Sequence, residues 1–295
     1  MTKTGFIAIV GRPNVGKSTL LNALLGEKVA IVSSKPQTTR NRITGILTEG
    51  DTQYVFMDTP GMHKPRTKLG NYMVRAATET IGDVDAAILV VEPEARVGDI
   101  ERALIERFRR DNLPALLVIN KIDRASPEKI GETIRVYAET FDFAAVIPIS
   151  AMKNRGVADV LHECDPFMAE GEWHFPDDIA TDQPERQIAA EIIREKILRT
   201  TSDEIPHGTA VLIEKFEDED TLIRIYAQII CERETHKRIL IGHHGDKLKQ
   251  IGTYAREDME EFFGTKVFLE LWVKVKENWR DSEFNVANFG YKKED

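Results

Sequence analysis

The chain has 295 residues, 42% hydrophobic and 30% charged, with a net charge of −9. At roughly 100–200 residues per domain, this length suggests two domains, each with enough apolar residues for a core. The acidic balance excludes a protein that coats nucleic acid through charge alone, so any RNA contact has to be local. No stretch of about 18 uncharged apolar residues occurs, and no membrane span is expected. The first residues lack the long apolar segment of a secretory signal. Cys164 and Cys231 stand far apart without metal-ligand companions, which fits a reduced, cytoplasmic setting.

In chain order, the first half alternates strand and helix patterns. Short apolar runs at residues 6–10, 55–57, 86–91, 115–120 and 146–149 read as buried strands. Between them, residues 17–25, 70–80, 100–109 and 129–137 carry apolar residues at helical spacing. That alternation predicts an α/β domain with a mainly parallel sheet and helices on both faces. Residues 43–48 are expected to add one antiparallel edge strand. Around residues 165–184 the pattern breaks, with prolines at 166, 176 and 184 among acidic and small residues, as in a linker. A helix over 185–200, a turn at 205–208, and strands at 209–216 and 222–232 follow, the strands joined by the acidic turn 217–220. A helix at 236–240, the run Gly242-His243-His244-Gly245, a helix at 246–263 and a strand at 267–276 complete an α+β second domain. The expected division is 1–168, a linker at 169–184, a second domain at 185–281, and a tail at 282–295.

Gly11-Arg12-Pro13-Asn14-Val15-Gly16-Lys17-Ser18 matches the P-loop pattern G-x-x-x-x-G-K-[ST] and stands between a strand and a helix. Glycines let the backbone approach phosphate closely, and loop N–H groups with the helix dipole hold negative charge. Lys17 is expected on the β- and γ-phosphates, and Ser18 on Mg²⁺. Asn14, Val15 and Thr19 complete the set expected around the phosphates. Residues 37–40 occupy the place of a mobile switch loop, where a threonine would complete Mg²⁺ coordination while a γ-phosphate is present. Thr39 is the choice over Thr38. Asp58-Thr59-Pro60-Gly61 follows a strand, so Asp58 is expected near Mg²⁺ through water, and Gly61 offers its N–H to the γ-phosphate. In Asn120-Lys121-Ile122-Asp123, an in-plane carboxylate at Asp123 would pair with the guanine ring N–H and amine, which adenine lacks. Lys121 would lie along the base, and Ser150-Ala151 would aim a backbone N–H at its carbonyl. GTP and GDP are therefore the expected ligands.

These five pieces resemble the translation-factor-related branch of GTPases, and within it the Era-like and tRNA-modification group. Met62 stands where Ras-like proteins carry a water-orienting glutamine, so intrinsic hydrolysis is expected to be slow and no catalytic residue is assigned. The resemblance also implies a monovalent cation, potassium, at Asn14. An asparagine that merely stabilises the turn is an equal alternative.

The order strand–strand–helix–GxxG–helix–strand matches a KH domain, whose loop clamps about four nucleotides. A lone GxxG would be a simple interhelical turn; the surrounding order lifts it. With Lys35-Pro-Gln-Thr-Thr-Arg40 and Leu269-Glu-Leu-Trp-Val-Lys-Val-Lys276-Glu-Asn-Trp279-Arg280, the chain resembles the Era family from Gly5 to about Ser282. That resemblance implies binding to the 3′ region of 16S rRNA, a role in small (30S) subunit assembly, a monomer, and at most weak peripheral membrane association. Gly242, His243, His244, Gly245, Lys247 and Lys249 are the expected RNA contacts. Two histidines fill the variable positions where relatives usually carry a lysine or arginine. Phe262, Phe263, Phe268 and Trp272 read as core rather than base-stacking residues. Trp279 and the tail have two readings, a cap on the RNA site or a frayed end. A tRNA-modification enzyme is the competing reading, but its folate or cysteine-based site has no counterpart here. A membrane-docking switch is disfavoured by the acidic balance.

Overall fold

The computed structural model describes residues 1–33, 35–62, 65–202 and 205–291. Two compact units emerge, Met1–Pro65 with Met73–Asp182, and Arg66–Tyr72 with Gln183–Asp295. The elements before residue 183 are β1 (Lys3–Val10), α1 (Lys17–Leu25), β2 (Ile43–Glu49), β3 (Thr52–Asp58), α2 (Lys68–Thr80), β4 (Ala86–Val91), α3 (Asp99–Asp111), β5 (Ala115–Ile119), α4 (Pro127–Ala138), β6 (Ala145–Pro148), α5 (Val157–His162) and β7 (Ala169–Glu170). Their sheet runs β2-β3-β1-β4-β5-β6. All neighbours along it are parallel except β2, which pairs antiparallel with β3.

Alternation along the strands builds two cores. Ile7 and Ile9 of β1 join Ile88 and Val90 of β4 on one face, with Leu20 and Leu21 of α1. Ala8, Val10, Leu89 and Val91 face the other way, with Leu104, Ile105 and Phe108 of α3. Every residue of β4 is buried, as a central parallel strand covered on both faces requires. The α/β layout and the antiparallel edge strand follow the sequence expectation.

Residues 169–182, read from sequence as linker, belong to this unit. β7 pairs antiparallel with β1. The Gln53 side chain accepts from the backbone N–H groups of His174 and Phe175 and donates to Phe175 O. Ile46 N donates to Ala180 O at 2.8 Å, which covers the open edge of β2. Prolines end regular pairing here, but side chains and single strand-like contacts satisfy the backbone instead.

The second unit holds α6 (Glu185–Thr200), β8 (Ala210–Asp218), β9 (Leu222–Cys231), α7 (Glu234–Ile241), α8 (Asp246–Phe263), β10 (Lys266–Val275) and α9 (Glu283–Asn288). Its sheet order is β10-β9-β8, with β8 antiparallel and β10 parallel to β9. A parallel β9–β10 pair needs a crossover, and α7 with α8 supplies it. Ile192, Ile193 and Ile197 of α6 meet Ile225, Ala227 and Ile229 of β9 and Ile251, Ala255 and Met259 of α8. On β10, Val267 and Val273 enter this core, whereas Phe268 is 40% exposed. The period of two along a strand that buries the valines turns Phe268 to the other face. Phe262 is also exposed, so the core reading does not hold for either residue. Trp279 is fully buried, its Nε1 donates to Gly208 O at 2.9 Å, and its ring meets Phe289 and Tyr291. Phe289 and Tyr291 thus anchor the tail on Trp279, while Phe284 stays exposed.

Candidate functional site

The loop between β1 and α1 depends on its glycines. Gly11 has φ 148°, and a Cβ there would stand 2.4 Å from Val90 O. Gly16 has φ 100°, and a Cβ would stand 2.3 Å from Asn120 Nδ2. Asn14, at φ 65°, is exposed at the loop's tip. No side chain caps the start of α1, which leaves its first N–H groups for an anion. Lys17 is buried and folds back over the loop, donating to Gly11 O at 3.2 Å and Arg12 O at 2.9 Å. Burial brings its pKa down to about 8, against the pull of Asp58.

Ser18, Thr39 and Asp58 converge. Ser18 Oγ donates to Asp58 Oδ2 at 2.5 Å and lies 2.8 Å from Thr39 Oγ1, which is 3.3 Å from the same carboxylate oxygen. Thr38 is not part of the cluster; its hydroxyl donates to Lys35 O. Asp58 Oδ1 is buried with no hydrogen-bond partner. Burial pushes the Asp58 pKa up to about 6, although Lys17 and then the two hydroxyls draw it down. An oxygen-only donor set with an unpartnered buried carboxylate oxygen fits a hard divalent cation such as Mg²⁺. Beyond Asp58, Gly61 passes so close to the phosphate loop that a Cβ would stand 2.7 Å from Pro13 Cα. Met62 N donates to Gly11 O at 3.2 Å, while its side chain packs on the core beneath α3.

Asn120 joins three segments. Its Nδ2 donates to Val15 O at 2.9 Å, and its Oδ1 accepts from Lys121 N at 2.8 Å and Ala151 N at 3.0 Å. Lys121 adopts φ 65°, and its Nζ contacts Asn14 O and Glu92 Oε1, each at 2.5 Å. Asp123 Oδ1 accepts from Ser150 Oγ at 2.7 Å, the main reason its carboxyl stays below the ordinary range. The N–H groups of Ser150 and Ala151 are both engaged inside the protein, with Arg155 O and Asn120 Oδ1. Ser150 thus contributes a hydroxyl that orients Asp123, a role its place in the sequence did not suggest. Arg12, Glu92, Glu94 and Glu101 also reach this region. No motif marks the three acids, so sequence reasoning missed them.

In the second unit, Gly242 has φ 76°, and a Cβ there would lie 2.8 Å from Lys247 N. His244 (φ 51°) and Gly245 (φ 85°) are also left-handed, but nothing lies within 4 Å of a Cβ at Gly245. His243 and His244 are exposed, their rings edge to face at 4.1 Å. Lys249 is exposed as well. Lys247 sends Nζ to Thr200 O at 3.2 Å and Gln250 Oε1 at 3.4 Å.

A phosphate loop, a Ser18–Thr39–Asp58 cluster, an Asn-Lys-x-Asp corner and a helix–GxxG–helix unit define a P-loop GTPase with an attached KH domain. Residues 6–121 match the family described as 50S ribosome-binding GTPase, and residues 204–280 match the KH domain family. GTPase Era of Clostridium kluyveri is 51% identical over 293 residues, 99% of this chain and 100% of the relative. GTPase Era of Ruminiclostridium cellulolyticum is 48% identical, covering 98% of each chain. Among solved structures, an Aquifex aeolicus Era variant bound to GDP·AlF₄⁻ superposes with a TM-score of 0.93 at 38% identity, covering 98% of this chain and 99% of that one. Era in complex with MgGDPNP and nucleotides 1506–1542 of 16S ribosomal RNA gives 0.91 at 38% identity, covering 99% of both. The chain belongs to the Era family and is a GTP-hydrolysing enzyme with a C-terminal KH domain.

Proposed function

We propose that this GTPase is a switch that binds the 3′ region of 16S rRNA and assists assembly of the 30S subunit. Guanine nucleotide would sit on Gly11, Asn14, Val15, Gly16, Lys17, Ser18, Thr19, Gly61, Asn120, Lys121 and Asp123, with Ser150 and Ala151 bracing the base corner. Ser18, Thr39 and Asp58 would hold Mg²⁺, which screens the charge of the β- and γ-phosphates. The observation that carries the reading is the convergence of Thr39 on Ser18 and Asp58, because it ties the loop at 35–42 to the phosphate site. A γ-phosphate favours that arrangement, and its loss on hydrolysis releases the loop. Met62 offers no group to orient water, so turnover by the chain alone is slow and an added partner or cation accelerates it. Potassium at Asn14 is the cation in this reading, tested by GTP turnover in potassium against sodium.

RNA binding rests on the exposed Gly242–Gly245 loop with Lys249, and on the complex of the relative with a 16S fragment. The test is binding of an oligonucleotide of the 16S rRNA 3′ end with GTP–Mg²⁺ and with GDP. Tighter binding in the GTP state is expected. Equal uptake of ATP and GTP would overturn the nucleotide half, and no preference for this RNA over an unrelated strand would overturn the other.

A further inference from the structure

The phosphate loop is fastened by three motif side chains: Asn120 to Val15 O, Lys17 to Gly11 O and Arg12 O, and Lys121 to Asn14 O. A fourth tie has no motif behind it. Arg12 turns its guanidinium toward α3, with Nε 2.5 Å from Glu101 Oε1 and Nη2 3.3 Å from Glu94 Oε2. Glu101 is 1% exposed, and its contact with Arg12 is an ion pair without hydrogen-bond geometry, so neither carboxylate oxygen nor Arg12 Nε has a hydrogen-bond partner. Gly98 leaves room for it, since a Cβ there would stand 2.6 Å from Glu101 Oε2. A carboxylate removed from water needs a counter-charge, and Arg12 of the phosphate loop is the cation that meets it. Burial works against the Arg12 charge, but Glu101 and then Glu94 outweigh it, so the guanidinium pKa is raised.

We propose that Arg12 and Glu101 are positioning residues for GTP turnover. The pair braces the first half of the phosphate loop against α3, so the loop is ordered before nucleotide arrives. Glu94 adds a second, partly exposed contact to the same guanidinium, and Glu92 acts in parallel through Lys121. The loop meets the β-phosphate alike in GTP, in the transition state and in GDP. Loss of the brace therefore weakens all three together, which raises KM and leaves kcat nearly unchanged.

Arg12→Ala alone would strand the buried Glu101, so the informative variant of the full chain is Arg12→Ala/Glu101→Ala. The KM for GTP and the Kd for GDP are expected to rise at least about tenfold, the scale of one close charge pair. kcat should stay within about twofold. A pair that served folding alone would lower the melting temperature and the active fraction while KM held. An unchanged Kd for GDP, or a fall in kcat at constant KM, overturns the proposal. Should the double variant fail to fold, Glu101→Gln keeps the side-chain shape while removing its charge. A rise in KM of about threefold is then expected, and an unchanged KM overturns the proposal.

Discussion

Two glycine-bounded loops precede helices in this chain, residues 11–16 before α1 and residues 242–245 before α8, and they are built on opposite terms. The first is enclosed. Its carbonyls are taken by Lys17, Lys121 and Asn120, and both of its glycines face atoms that a Cβ would strike. The second stands open, with two exposed histidines and one glycine, Gly245, that has empty space around it. An enclosed loop can hold a small anion in fixed geometry, because its neighbours pin its carbonyls and its glycines. An open loop offers a shape and a few donors, and much of its affinity must come from the length of strand laid across it.

The largest expected effect breaks the enclosed loop. Gly16→Ala sets a methyl 2.3 Å from Asn120 Nδ2 on a backbone at φ 100°. The Asn120 amide must then shift, which disturbs its bonds to Val15 O, Lys121 N and Ala151 N. GTP affinity is expected to fall at least about a hundredfold, read by calorimetry, while binding of the rRNA oligonucleotide without nucleotide stays near wild type. A fall of less than about fivefold would show that the loop yields, and the contrast with the open loop would fail.

Gly11, Gly16, Lys17, Ser18, Asp58 and Asn120 stand out in the sequence because phosphate geometry leaves few residue types able to serve at each position, and the structure brings them close together. Nothing in the sequence separates Thr39 from Thr38; in the structure Thr39 Oγ1 stands 3.3 Å from Asp58 Oδ2, and Thr38 donates to Lys35 O. Glu101 was not legible, because its partner Arg12 is brought to it only by the packing of α3 against β1 and β4. Residues 169–182 misled for a related reason. Their prolines exclude regular secondary structure, yet Gln53 and Ile46 across the sheet satisfy their backbone. Lys247, beside the GxxG in sequence, has a partner in Thr200 O that no sequence pattern announces.

An intermediate effect separates the two glycines of the open loop. A Cβ at Gly242 meets Lys247 N at 2.8 Å and Lys247 Cβ at 2.7 Å, so the first turn of α8 has to shift. A Cβ at Gly245 meets nothing, leaving only the left-handed backbone at φ 85°, which costs about 1 kcal/mol for alanine. Gly242→Ala is expected to weaken oligonucleotide binding by about tenfold and Gly245→Ala by about threefold. Electrophoretic or fluorescence titration at fixed salt reads both. Equal losses would mean that the close approach at Gly242 has no part in presenting the loop.

The last effect concerns stability rather than binding, and it falls on the nucleotide site. Asp58 is buried with one unpartnered oxygen, and burial raises its pKa from an ordinary 3.8 to about 6. The folded chain therefore takes up a proton between about pH 6 and pH 4 that the unfolded chain does not. Stability from this group is greatest below about pH 4 and is lost as pH rises through 6. Asp58→Asn removes the charge, so the nucleotide-free variant is expected to be more stable than the parent at pH 7.5 by about 1–2 kcal/mol. The gap should close toward pH 4, as read from urea midpoints at pH 4.5, 6 and 7.5. His243→Ala/His244→Ala, on the exposed loop, should change those midpoints by no more than about 0.5 kcal/mol at pH 7.5. An Asp58→Asn gap that stayed constant across the three pH values would show that the buried carboxylate is already compensated in the folded chain. The nucleotide site would then carry no stability penalty for its chemistry, and the distinction between the enclosed loop and the open one would rest on geometry alone.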